Sequence, residues 1–444
     1  MKVLHVPFCY FPDPVGGTEV YVQSLAAEQQ RQGVDTLIAA PAKRNGRYTI
    51  HGLQVCRFEV AQEIADVGEM YGEGDPLAAQ GFGEILTREL PDVLHLHAFT
   101  RGVSLLLVRE AKRRGIPVVF SYHTPTVSCQ RGTLLKWGSE VCHGILDVTE
   151  CARCTLHGHG VSKIGSTIAA GIPSRLGRFL GGMRLSGGVW TAARMTELIR
   201  VRQDKFRSLM AEVDHVIALC QWVKDLLLRN HVPEKKITVS RQGLDDLPAQ
   251  LSGQSRPAVP IRVAFLGRLD PTKGVDILIQ ALKLNPRLDV RLDIFGVVQQ
   301  GAGETYLRNL QDLAKGDARI TFQPPISSDE VISKLRDYDL LAVPSQWLET
   351  GPRVVLEAFA AGIPVIGSNL GGIAELIRHN VDGLLVEPDS VDEWAGALRS
   401  IVEDPGLLES LRSGIRPPRS VREVAAETQE VYSALARFAP PLPA

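Results

Sequence analysis

Short apolar runs separated by amphipathic stretches set the frame of this chain. Lys2–Val6, Thr36–Ala40, Val93–Leu96, Val118–Ser121, Val216–Leu219 and Thr238–Ser240 read as strands, and helical patterns such as Val20 to Gln32 lie between them. Strands that are apolar throughout and alternate with helices predict a parallel, doubly wound α/β sheet covered on both faces. The pattern begins again at Ile261–Leu266, where Val275, Leu278, Ile279 and Leu282 follow at helical spacing, and continues through Leu340–Val343 and Pro364–Ile366. Between the two halves, Asp246 to Pro260 is polar and contains proline, the signature of a linker. Pro417-Pro418 then introduces a last helix carrying Val421, Val424, Val431, Leu435 and Phe438. The expected organisation is a first domain over 1–245 with a cysteine-rich insertion at about 126–200, a linker over 246–260, a second domain over 261–415, and a closing helix and tail over 416–444.

The candidate chemistry sits where strands of the second half run into loops. Glu349-Thr-Gly-Pro-Arg-Val-Val-Leu-Glu357 lies between two apolar strands, and parallel sheets bind ligands at that carboxyl edge. Glu349 falls in the loop, while Glu357 is placed about two turns into the following helix. Carboxylates accept hydroxyl protons, and free N–H groups at a helix amino end hold phosphate. Taken alone, the pair reads equally well as a solvated loop acid and a dipole-favoured helix acid. A second segment changes that balance. Gly267-Arg268-Leu-Asp-Pro-Thr-Lys273-Gly274 follows the strand at Ile261 and supplies a planar fork of donors and a compact ammonium, which suit a diphosphate.

These segments resemble the retaining family 4 glycosyltransferases of the GT-B fold, through the Gly-Arg-x4-Lys-Gly loop and the Glu-x7-Glu motif. The likeness runs from Ile261 to about Val402, including Pro344-Ser345 and Gly371-Gly372-Ile-Ala-Glu375, and reappears in Pro14-Val-Gly16-Gly17-Thr-Glu19. It implies two Rossmann-like domains facing a central cleft, the first on the acceptor side, with the last helix crossing back to the first. It also implies that Arg268 and Lys273 hold the donor diphosphate, Glu357 the ribose hydroxyls, and Glu349 the transferred sugar. Gly16, Gly17, Gly267, Gly351 and the amide of Arg353 are implied donor contacts. Retention is ascribed in that family to same-face attack assisted by the leaving phosphate. One departure is Pro352, which stands where the family often has glycine and removes an N–H. The implied donor is UDP- or GDP-linked, and the acceptor a carbohydrate, a lipid-linked sugar or a small molecule. A sugar-nucleotide epimerase of the same fold and a nucleotide-binding scaffold are the alternatives.

Three histidines are candidates in the first half. His95 and His97 share one strand face, which marks one of them as a packed, hydrogen-bonded core group. His123 ends the strand at Val118 and matches a histidine that the family carries beside the transferred sugar. Asp337-Tyr-Asp339 suggests a metal-dependent transferase, but it closes a helix and opens a strand, the wrong edge for catalysis. It reads as a solvated helix end, and no catalytic metal is expected. Cys129, Cys142, Cys151 and Cys154 fall within 26 positions, and the Cys-x-x-Cys knuckle points to structural zinc, with free thiols and a disulfide as competing readings.

Composition narrows the rest. A net charge of −1 gives no pull toward nucleic acid. Met1-Lys-Val-Leu-His-Val-Pro reads as a strand rather than a signal peptide, and no apolar stretch reaches the length of a spanning helix. A cytoplasmic protein is expected. Residues 163–184 place Lys163, Arg175, Arg178 and Arg184 among Ile164, Ile168, Ile172, Leu176 and Leu180, which leaves open peripheral contact with an anionic membrane face.

Overall fold

The computed structural model describes residues 1–14, 16–63, 67–183, 187–245 and 260–436. The chain forms two compact units, residues 1–241 together with the segment from Val421, and residues 242–420. Most of the expected linker, with Arg184 and Phe438, lies outside the described residues. No helix among the described residues is long and apolar enough to cross a membrane.

In the first unit the strands are β1 (Lys2–Val6), β2 (Asp35–Ala42), β3 (Gly46–Ile50), β4 (Leu53–Glu59), β5 (Val93–Leu96), β6 (Val118–Tyr122), the hairpin β7 and β8 (Leu135–Lys136, Glu140–Val141), β9 (His215–Ala218) and β10 (Ile237–Val239). The main sheet runs β10-β9-β6-β5-β1-β2-β4-β3 and is parallel except where β3 meets β4. All six strands expected from apolar periodicity are present. The β3–β4 hairpin escaped that reading because β3 is a largely exposed edge strand. Its two-residue turn puts both His51 and Gly52 at positive φ, the geometry that matches strand twist. The last helix, Val421–Ala436, buries Val424, Ala425 and Tyr432 against Tyr21, Val22 and Leu25 of helix Gly17–Arg31.

In the second unit β11 (Ile261–Arg268), β12 (Val290–Val297), β13 (Ile320–Gln323), β14 (Leu340–Val343), β15 (Val365–Ser368) and β16 (Gly383–Val386) form one parallel sheet. Its order is β13-β12-β11-β14-β15-β16. The order reverses between β11 and β14, so the loops leaving those two strands flank a crevice at the carboxyl edge. Apolar clusters cover both faces, one built on Leu278 and Trp394 and the other on Leu341, Val355 and Phe359.

Two expectations are corrected here. Glu357 is the fifth residue of helix Arg353–Ala361, one turn in rather than two. Asp339 is not a solvated helix end. It is buried, accepts the Arg262 N–H at 3.0 Å and pairs with Arg412 at 2.7 Å. A buried carboxylate survives because it is paired, and this one ties the start of β14 to helix Pro405–Gly414.

Candidate active site

The two loops at the reversal of the second sheet are locked together by glycines. Gly274 has φ +67°, and a Cβ there would lie 2.0 Å from the Pro344 carbonyl oxygen, so only glycine lets the turn after β11 touch the loop after β14. A Cβ on Gly372 would stand 2.4 Å from the Gly351 nitrogen, and the Gly372 N–H donates to the Glu349 carbonyl at 2.7 Å. The Glu349 loop is thereby held from both sides.

Within that frame the Lys273 ammonium donates to Glu349 Oε1 at 2.6 Å. The Ser345 hydroxyl donates to the same oxygen at 2.6 Å, and the Trp347 indole N–H at 3.1 Å. Burial opposes ionisation of Glu349, but Lys273 and these hydrogen bonds outweigh it and hold the carboxyl below its ordinary range. Sequence marked Ser345 only as part of the family likeness and gave Trp347 no role. A Pro-Ser step and an indole two residues before the acid were the available signals.

Glu357 sits in a second cluster. Arg353 Nε donates to Glu357 Oε1 at 2.9 Å, and Arg353 Nη2 reaches Asp245 Oδ2 at 3.3 Å. Burial dominates Glu357 and pushes its carboxyl up, with Arg353 offsetting part of the shift. The Arg353 side chain is therefore committed to carboxylates, while its amide opens the helix. Gly351, at φ +118°, accepts from Gln242 through its carbonyl. Arg268 ends β11 after Gly267; its side chain is exposed and has no ion-pair partner among the described residues. The structure thus joins Lys273 to Glu349 directly, places Arg268 on the same sheet edge, and gives Glu357 its own partners.

In the first unit the carboxyl ends of β1, β5 and β6 carry a buried histidine chain that sequence reading found only in part. Its anchor is the last helix. Thr428 Oγ1 donates to a helix carbonyl, Val424 or Ala425, and so accepts from Gln29 Nε2 at 3.1 Å. That turns the Gln29 oxygen toward His5 Nε2 at 2.9 Å. His5 Nδ1 meets His97 Nε2 at 3.0 Å, and His97 Nδ1 meets His123 Nε2 at 3.0 Å. Burial keeps the rings neutral, with His5 lowered to about 4, His123 to about 3, and His97 well below the ordinary value. Each neutral ring carries one N–H, so the amide oxygen dictates all three tautomers, and His123 keeps its proton on Nε2. His95 contacts Tyr432 OH through Nδ1 at 2.5 Å and Ser121 Oγ through Nε2 at 2.7 Å. His95 and His97 are therefore both core groups. His5 was missed, although it faces His95 in the β1–β5 register.

Gly16 caps helix Gly17–Arg31, and its N–H donates to Glu19 Oε2 at 2.9 Å. A Cβ on Gly17 would meet nothing within 4 Å, so the protein's own packing does not demand glycine there.

Cys129, Cys142, Cys151 and Cys154 are free thiols and do not form a closed ligand set. Among the described residues, only His5, His95 and His97 bring three candidate ligand atoms within 4.8 Å of one another. Every ring nitrogen in that trio already has a hydrogen-bond partner, His5 and His97 within the chain and His95 with Tyr432 and Ser121, so none is left to ligate an ion. The sulfurs of Cys142 and Cys154 accept backbone N–H groups of Gly144 and Trp137, each at 3.4 Å. Burial, with the neighbouring cysteines, raises the Cys151 thiol to about 12.

Residues 253–416 match the family model described as Glycosyl transferases group 1, and residues 16–153 match the Glycosyl transferase 4-like domain. The chain thus carries a group 1 glycosyl transferase domain and a glycosyl transferase 4-like domain. It is 33% identical over 228 residues to a D-inositol 3-phosphate glycosyltransferase of Rhodococcus jostii, a match covering 47% of this chain and 49% of the relative. A second such enzyme, from Rhodococcus opacus, is 33% identical over 228 residues, covering 47% and 50%. The match thus spans about half the length of these curated relatives. Among solved structures, Anabaena Alr3699/HepE in complex with UDP and glucose aligns with TM-score 0.64 and 18% identity, over 98% of this chain and 100% of that one. Sucrose-phosphate synthase from Thermosynechococcus elongatus aligns with TM-score 0.65 and 18% identity, over 98% and 99%. The fold is therefore GT-B, with two Rossmann-like domains. The group 1 match contains Arg268, Lys273, Glu349 and Glu357, and the 4-like match contains Gly16, Gly17 and His123 but stops one residue short of Cys154.

Proposed function

We propose that this group 1 glycosyl transferase moves a sugar from a nucleoside diphosphate to an acceptor hydroxyl with retention at the anomeric carbon. The product would be a cell-surface polysaccharide, glycolipid or other glycoconjugate made in the cytoplasm. The observation that carries the reading is the Lys273–Glu349 pair at the strand reversal, on the same sheet edge as the exposed Arg268. In the reaction, the bond from the anomeric carbon to the diphosphate breaks as a bond to the acceptor oxygen forms on the same face. The acceptor proton passes to the departing phosphate oxygen. Arg268 and Lys273 meet the charge that grows on the diphosphate, each worth about 3 kcal/mol, roughly a hundredfold in rate. Glu349, kept ionised by Lys273, accepts hydroxyls of the sugar, and Glu357 accepts those of the ribose. The family resemblance makes His123 a further candidate contact to the sugar, its tautomer set through His97, His5 and Gln29.

The neighbour whose structure holds UDP and glucose favours a uridine donor over a guanosine one. Carbohydrate, lipid-linked and small-molecule acceptors all offer the hydroxyl required. Arg268→Ala tests the reading: kcat should fall about a hundredfold with the product anomer unchanged, and a fall within about twofold refutes the diphosphate clamp.

Zinc on Cys129, Cys142, Cys151 and Cys154 is proposed as a structural staple of the insertion. Support comes from the backbone N–H groups aimed at the sulfurs of Cys142 and Cys154, and from the chain order, in which Cys129 and Cys142 flank the β7–β8 hairpin and Cys151 and Cys154 lie on helix Val148–Gly158.

A further inference from the structure

Helices Lys163–Ala170 and Ser174–Gly182 pack onto the long helix Gly188–Glu212 in an unusual sense, with small residues inward and large apolar ones outward. In the first, Ser166 and Ala170 are buried, while Ile164 and Ile168 are 77% and 71% exposed on the opposite side. In the second, Gly177 lies so close to the long helix that a Cβ would stand 2.8 Å from Glu197 Cβ, and Leu176 and Phe179 face out, the latter 65% exposed. Met183, Val189 and Trp190 extend the same exposed stretch. An amphipathic helix normally turns such residues inward, so this surface is presented rather than left over.

Charge identifies what it meets. Residues 163–183 contain Lys163, Arg175 and Arg178 and no Asp or Glu, whereas the chain's overall 50 acids in 444 residues would place about two there. Arg175 and Arg178 alternate with Leu176 and Phe179 and are exposed, and Lys163 lies 5.6 Å from the Trp137 ring centre. A second copy docked face to face would set these cations against their own kind. The stretch from Cys154 to Trp190 also lies outside both family matches, so it belongs to this chain rather than to the shared catalytic frame.

We propose that this face seats the protein on an anionic lipid bilayer, with Ile164, Ile168, Leu176 and Phe179 entering the acyl boundary and Lys163, Arg175 and Arg178 on lipid phosphates. The docking stands independently of the transfer reaction, and its test does not read activity. The purified full chain is floated with phosphatidylcholine vesicles and with vesicles containing phosphatidylglycerol. The protein should rise only with the anionic vesicles, less so as salt is raised, and Trp190 emission should shift to the blue. Ile168→Glu with Phe179→Glu should cut partitioning at least tenfold. Arg175→Glu with Arg178→Glu should cut it about fivefold or more for each cation removed. Circular dichroism checks that these surface variants stay folded, and the salt and lipid dependence of the parent protein needs no variant. Failure to float with anionic vesicles overturns the proposal, as does equal floating of all variants. A parent dimer that Ile168→Glu with Phe179→Glu renders monomeric would instead make the face a self-interface and overturn it too.

Discussion

Lys273→Met is the perturbation that most directly separates holding the site together from running the reaction. Glu349 is 8% exposed, and its carboxylate shares Oε1 among Lys273, Ser345 and Trp347. Removing the ammonium leaves a buried anion with two neutral donors, and such a loss costs about 3 kcal/mol. Glu349→Gln is milder, about 1–2 kcal/mol, because Lys273 retains access to water and the amide keeps an acceptor. The double variant should cost about 2 kcal/mol less than the sum of the two, the signature of direct coupling. Urea unfolding of the full chain gives the three values. Acidity supplies an independent reading. In the parent the folded Glu349 carboxyl lies below its unfolded value, so its contribution is present above the unfolded value and is lost as pH falls through the folded one. Without Lys273, burial raises that carboxyl instead, so the stability gap between variant and parent should narrow as pH falls from about 7 to about 5. Turnover should fall about a hundredfold in all three variants, since a restored fold does not restore the cation. Additive stabilities, with coupling under about 0.5 kcal/mol, would refute the pair as a unit.

Further predictions concern the histidines, the cysteines and the last helix. His5 and His123 are neutral in the fold, at about 4 and about 3, so their stabilisation is full above about pH 6.5 and is lost as pH falls toward 4. Each should cost about 2 kcal/mol at pH 5, and an unchanged urea midpoint between about pH 7 and pH 5 would contradict this. Nitrogen-15 shifts should place the His123 proton on Nε2; Thr428→Val, by freeing the Gln29 amide, should mix the tautomers and lower kcat more than it raises KM. Metal analysis of the purified protein should find about one zinc per chain, removed by chelation with a lower melting temperature and absent in Cys151→Ser; a zinc-free protein of unchanged melting removes that proposal.

The amino-acid sequence by itself determined the two doubly wound sheets and the edge on which the site lies. Apolar runs without alternation specify strands buried on both faces, and helices between them leave parallel pairing as the topology. It also placed Lys273 and Glu349 on strand-ending loops, because loop position follows from strand position, while Arg268, expected in the loop, is the last residue of its strand. What it left undecided is which polar groups meet. Lys273 and Glu349 are 76 residues apart, Arg353 and Asp245 108, and Gln29 and Thr428 399, so their pairing depends on strand order and on where the last helix docks. Periodicity marks a side chain as inward or outward but says nothing about its opposite number. For the same reason Asp339, polar at a strand's edge, read as solvated until the fold brought Arg412 against it, and His5 read as ordinary until β5 was laid beside β1.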